Sequence, residues 1–219
     1  MKRTKRNSAA LKAWITIRKN KGFKHDVLVP QTGNIKDYSK REKKQDPREN
    51  VTLACGELPK SDKEILSLTS FQCLQELDVN AKFPNLKFHA VEADLETFHH
   101  LLLNKKANNW DFISSLTYAK VSEIIYKAKA DAYLAAFLDY CCLFKTCKDE
   151  LAHAMTNNLV QKGGFIYLTV CQRGRGAAQT DFQVYDLVRK VGKGRYKIVY
   201  SLGYRDSTPM FSAIIKRVK

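Results

Sequence analysis

The chain is predicted to fold as an α/β domain: a doubly wound, mostly parallel seven-stranded sheet with a C-terminal antiparallel hairpin, preceded by a basic N-terminal helical arm. Three observations carry that prediction. From residue 51 onward, short apolar runs alternate with segments of helical periodicity. The run 165–170 is apolar throughout, as a central parallel strand covered on both faces must be. The last two runs, 196–202 and 210–218, are joined so tightly that they can pair only antiparallel, since a parallel pair needs a long crossover.

The elements follow in order. Residues 51–55 read as a short buried strand closed by Gly56, and Ser61 with Glu64 reads as a capping box opening a helix through Ile65 and Leu68. Residues 88–92 form the second strand, after which Asp94 caps a helix that carries Phe98, Leu101 and Leu102 on one face. A third strand is expected over 110–116, followed by helical spacing at Val121, Ile124, Ile125 and Ala128. The fourth strand is 133–138; the next helix turns Leu151, Met155 and Leu159 inward and stops at Gly163 and Gly164. Val184, Leu187, Val188 and Val191 mark the last helix.

Upstream, Ser8 is placed to cap a helix with Leu11, Trp14 and Ile15 on one face and Lys12, Arg18 and Lys19 around the rest, ended by Gly22. Residues 31–50 are polar and read as a linker or exposed loop, so the domains expected are 1–48, arm and linker, and 49–219, the α/β domain.

Charge indicates the partner. The chain of 219 residues carries a net charge of +16. Residues 1–50 hold 15 Lys/Arg against 5 Asp/Glu, a net of +10. Such an arm favours a polyanion, most often nucleic acid, DNA or RNA. No apolar stretch approaches the roughly 18 residues that span a bilayer. The basic N-terminus, interrupted by charges, makes a poor secretory signal. The expectation is an intracellular protein, cytoplasmic or nuclear, with no membrane partner. The six cysteines lack the paired spacing of a structural zinc site, so no metal is expected and the thiols read as free.

Two of the strands end in an acid, Glu92 after Val91 and Asp139 after Leu138. Ligands of open α/β sheets bind at the carboxyl edge, so acids there are placed to hold a ribose or a reacting group. Five strand–helix units followed by a terminal hairpin resemble the class I S-adenosylmethionine-dependent methyltransferase superfamily over residues 51–219. The resemblance implies S-adenosylmethionine as cofactor, its methionine part against Leu53, Ala54 and Gly56, and its ribose hydroxyls on Glu92. It further implies that the loop after the fourth strand faces the methyl acceptor, with Asp139 accepting a hydrogen bond from an exocyclic amine and Tyr140 stacking on a flipped base. Cys141 offers a thiolate route to cytosine C5 in the same loop.

Beyond the fifth strand, Arg173 and Arg175 are spaced by glycines at the same edge and suit phosphate contact. The function expected is methylation of nucleic acid, with a base amine favoured. The alternative is a catalytically inactive methyltransferase-like protein that binds nucleic acid or serves assembly. The single glycine of the 53–59 loop, where the family has two or three, favours that alternative.

Overall fold

The computed structural model describes residues 45–70, 72–172, 179–205 and 208–219, excepting the side chains of residues 45, 46, 141 and 205. The predicted helix over residues 8–22, the cationic residues Lys12, Arg18 and Lys19, and the pair Arg173 and Arg175 lie outside the described residues.

Six helices and seven strands alternate among the described residues: α1 Gln45–Cys55, β1 Ile65–Leu68, α2 Leu74–Lys82, β2 Phe88–Glu92, α3 Leu95–Asn108, β3 Ile113–Tyr118, α4 Val121–Lys127, β4 Ala135–Leu143, α5 Phe144–Thr156, β5 Phe165–Cys171, α6 Thr180–Gly192, β6 Tyr196–Arg205 and β7 Pro209–Arg217. The strands form one sheet in the order β3-β2-β1-β4-β5-β7-β6. The first five pair parallel, and β7 runs antiparallel to both β5 and β6. The seven-stranded, mostly parallel sheet with one antiparallel strand from the hairpin is thus as the sequence predicts.

Helices cover both faces. On one, Val51 and Cys55 of α1, Val79 of α2 and Leu101 of α3 pack with Phe88, Ala90, Phe137, Tyr167 and Ile214 of the sheet. On the other, Val121 and Ile125 of α4, Leu151 and Met155 of α5 and Val184 and Val188 of α6 pack with Leu66, Val91, Leu138, Ile166 and Leu168. All seven residues of β5 are buried, which is why its sequence is apolar without alternation.

The first strand–helix unit departs from expectation. Residues 51–55 are the last turn of α1, not a strand. Val51 and Cys55, four apart, are buried while Leu53 between them is 57% exposed, a helical rather than a strand pattern. The Thr52 hydroxyl donates to the Arg48 carbonyl at 2.7 Å, one helical turn back. The first strand is instead Ile65–Leu68, where a capping box and helix were expected. The Ser61 hydroxyl does accept from the Lys63 N–H, at 3.1 Å. Glu64, however, takes the hydroxyls of Ser114 and Ser115 across the sheet instead of reaching back. Helix α1 also runs across the 48/49 boundary expected between linker and domain.

Smaller differences are local. Leu102 of α3 is exposed although Leu101 beside it is buried. Helix α5 ends at Thr156 rather than at the glycine pair, because Asn158 takes a left-handed conformation at φ 52°. Gly163 and Gly164 serve the turn into β5. A Cβ at Gly164 would collide with the Leu134 carbonyl, so only glycine lets the two segments approach.

Candidate active site at the carboxyl edge

Strand order reverses between β1 and β4, the place where a doubly wound sheet opens a crevice at its carboxyl edge. The register sets what stands there. Ser67 of β1 pairs with Ala90 of β2 and Phe137 of β4, so two residues further on Thr69, Glu92 and Asp139 are level and share a face. Glu92 and Asp139 flank β1, two strand spacings or about 10 Å apart. Glu92 ends β2, as expected, whereas Asp139 lies inside β4, which starts at Ala135 and runs on to Leu143 instead of spanning 133–138.

Glu92 is half-buried, and its carboxylate accepts the Asp94 N–H at 2.7 Å. Burial raises its pKa, against the lowering effect of the backbone N–H groups of Asp94 and Ala93. Asp94 caps α3 by accepting the Thr97 N–H at 2.7 Å, as predicted, and that bond holds its pKa below the usual range. Asp139 pairs with Thr169 of β5, and the register slips between it and Leu143, so the chain leaves regular pairing just beyond the acid. One carboxylate oxygen of Asp139 is buried.

A third carboxyl, Glu76 of α2, was not anticipated. It is 3% exposed and accepts a short hydrogen bond from the Ser67 hydroxyl at the end of β1. Desolvation raises its pKa; hydroxyl donors from Ser67 and Thr69 act the other way, and the neighbouring Asp139 charge adds to the rise. Cys73, Glu76 and Val79 are buried at i, i+3 and i+6, so an acid occupies a position that the helix turns toward the core. That spacing is the only signal the sequence offers for it.

The loop after β1 is Thr69–Ser70–Phe71–Gln72–Cys73 and contains no glycine. Its tight entry into α2 nevertheless needs a left-handed residue, and Cys73 adopts it at φ 48°, ψ 37°. The side chain offsets part of that cost through a Thr69 Oγ1···Cys73 Sγ contact of 3.4 Å and a Cys73 thiol donating to the Ser70 carbonyl at 3.5 Å. Of the residues expected to line a cofactor, Leu53 and Ala54 belong to α1 rather than to a strand-end loop, and Gly56, just beyond it, lies toward the opposite edge. A Cβ on Gly56 would sit 3.1 Å from the Phe83 ring, and neighbouring Glu57 pairs at 2.7 Å with Lys216, the register partner of the first residue of β5.

Tyr140 does not face Asp139's side of the sheet. Its ring is buried among the α4–α6 core and its hydroxyl donates to Glu150 at 2.6 Å, so the ring is not presented for stacking on a base. Burial pushes its pKa up, and Glu150 adds to the shift. Burial likewise raises the Cys142 and Cys147 thiols, which keeps them protonated and poor nucleophiles. Among the described residues, no group of three or more His, Cys, Asp or Glu is arranged to hold a metal, and no helix is long and apolar enough to cross a membrane.

A seven-stranded sheet in this order, with β7 reversed, has the fold of the class I S-adenosylmethionine-dependent methyltransferases. Solved structures agree. A Clostridium thermocellum chain named as a candidate rRNA methylase superposes with a TM-score of 0.57 at 12% identity, over 85% of this chain and 99% of that one. TYW2 from P. horikoshii, solved with MeSAdo, gives 0.58 at 13% identity over 90% and 74%. TYW2 from M. jannaschii, solved with AdoMet, gives 0.53 at 12% over 83% and 80%. No family model matches the sequence, and no curated protein matches it. At these identities the likeness is one of fold.

Proposed function

We propose that this chain transfers a methyl group from S-adenosylmethionine to nucleic acid, with a base amine as acceptor. The observation that supports the reading is the level placement of Glu92 and Asp139 on one face of the carboxyl edge, either side of the switch point. The donor set suits the cofactor. Glu76, Glu92 and Asp139 gather carboxyl groups at one edge of a chain of net charge +16, and S-adenosylmethionine brings a cationic sulfonium and two ribose hydroxyls.

When bound, the cofactor supplies an electrophilic methyl group; the protein's own contribution is placement. Glu92 would accept the ribose hydroxyls. Asp139 would accept a hydrogen bond from the exocyclic N–H and so turn the amine toward the methyl carbon. Proximity and orientation would then carry most of the acceleration. The basic segment 1–48, with Lys12, Arg18 and Lys19, and the cations Arg173 and Arg175 are assigned to the phosphates.

A second reading keeps the fold without catalysis, as a nucleic-acid-binding or assembly component. It is favoured by the glycine-free turn after β1, where Cys73 and Gln72 are buried in place of open backbone. Calorimetry separates the two. Micromolar S-adenosylmethionine affinity together with transfer of a radiolabelled methyl group to RNA or DNA supports the enzyme. An absence of binding in the folded protein sinks it.

A further inference from the structure

The outer face of α6 carries two bare aromatic rings. Phe182 is 72% exposed and Tyr185 48% exposed, although a soluble domain ordinarily turns such residues inward. With Arg189, also exposed, they stand at i, i+3 and i+7, one stripe of the helix about 10 Å long. The Tyr185 hydroxyl meets the Ser201 hydroxyl at 3.0 Å, which pins the ring beside β6, the edge strand. Asp181 fixes the first turn by accepting the Phe182 N–H at 2.8 Å.

Position and charge add to the chemistry. Helix α6 follows β5 from the carboxyl edge, so the stripe begins at the edge that holds Asp139 and leads away from it. Between residues 180 and 197 there are five Lys/Arg against two Asp. Asp186 pairs with Arg189 at 2.8 Å and with Lys190 at 2.7 Å, leaving cationic excess on the stretch. A protein partner would ask for a continuous apolar face. Here Gln183, Asp186 and Lys190 interrupt the surface of the helix around the rings. Aromatic planes followed along the helix by cations, from Arg189 onward, suit unpaired bases and their phosphates.

We propose that the Phe182–Tyr185–Arg189 stripe is a stacking track for single-stranded nucleic acid, guiding the strand toward the carboxyl edge. The proposal rests on the reading that the substrate is nucleic acid. The test uses the full chain and fluorescence anisotropy with labelled 15-nucleotide oligo(U), oligo(dT) and a duplex of equal length. Phe182→Ala and Tyr185→Ala should each weaken single-strand binding about 5- to 50-fold, with the salt slope unchanged, because stacking releases no counterions. Arg189→Ala should weaken binding and lower the slope by roughly 0.7. Duplex binding should stay within about twofold in the two aromatic variants, since paired bases offer no free faces.

Both aromatic side chains are exposed, so the variants should melt with the wild type. Unchanged single-strand affinity in the folded aromatic variants overturns the track, and so does an equal loss on duplex. A wild-type protein that binds none of the three probes overturns the track and the nucleic-acid reading together. If it binds the strands but not S-adenosylmethionine, the catalytic reading alone fails, and the aromatic variants still decide the track.

Discussion

Burial raises the pKa of Glu76, and the sign of its effect on stability follows. Its folded pKa is raised, so its contribution is complete below the unfolded value, about 4.3, and is lost as pH rises through the folded value. Glu92 shifts in the same direction. Glu76→Gln keeps an acceptor for the Ser67 hydroxyl and removes the titration. Its melting temperature relative to wild type should therefore be more favourable at pH 8 than at pH 4. Parallel curves at the two pH values would mean that the carboxyl does not titrate in this window. At the edge itself, Glu92→Ala should weaken S-adenosylmethionine by about 1–3 kcal/mol through the loss of charge-assisted bonds, read by calorimetry. Asp139→Ala should slow methyl transfer by roughly 10²–10⁴-fold while leaving cofactor affinity within about threefold. A folded Asp139→Ala variant with undiminished turnover would move the acceptor site elsewhere.

At the scale of elements, Gly164 joins α5 to β5 where the Leu134 carbonyl leaves no room for a side chain. Gly164→Ala should cost about 3 kcal/mol or more in urea denaturation, because the obstructing atom is backbone and cannot swing aside. The sequence discloses such elements unevenly. Strands β2, β4 and β5 are legible because each contains an apolar run of adequate length; Glu92 closes the run of β2, while Asp139 reads as a strand end only because it interrupts a strand that continues to Leu143. Strand β1 is only four residues long with Ser67 inside it, whereas Val51 and Thr52 are β-formers placed in a helix by tertiary burial of Val51 and Cys55. Misplacing that one unit sent the expected cofactor loop to the wrong edge. Glu76 stayed hidden for a different reason. Its role depends on Ser67 and Asp139, which are brought to it only by the pairing of β1 with β4.

For the molecule as a whole, the charge asymmetry and the fold make separable contributions. Removing residues 1–44 retains α1 and the sheet, and should leave the melting transition in place. It should also weaken nucleic-acid binding and lower the slope of log K against log salt by roughly 0.7–0.9 for each phosphate that the protein no longer neutralises. An identical slope in the shortened chain would mean that the segment does not touch the polyanion.

The position of β7 between β5 and β6 has a dynamic counterpart. Among the described residues, β6 pairs with β7 alone, whereas β7 is held on both sides. Opening is therefore nested. Strand β6 can peel from its neighbour while the remaining six strands stay joined, but β7 cannot leave β5 without carrying or releasing β6. In native-state hydrogen exchange the amides of β6 that bond to β7 should open at a free energy no higher than those of β7 that bond to β5. The edge beside the Tyr185 ring can thus open while β7 stays on β5, and a strand of nucleic acid lying along it would slow the exchange of β6 in particular.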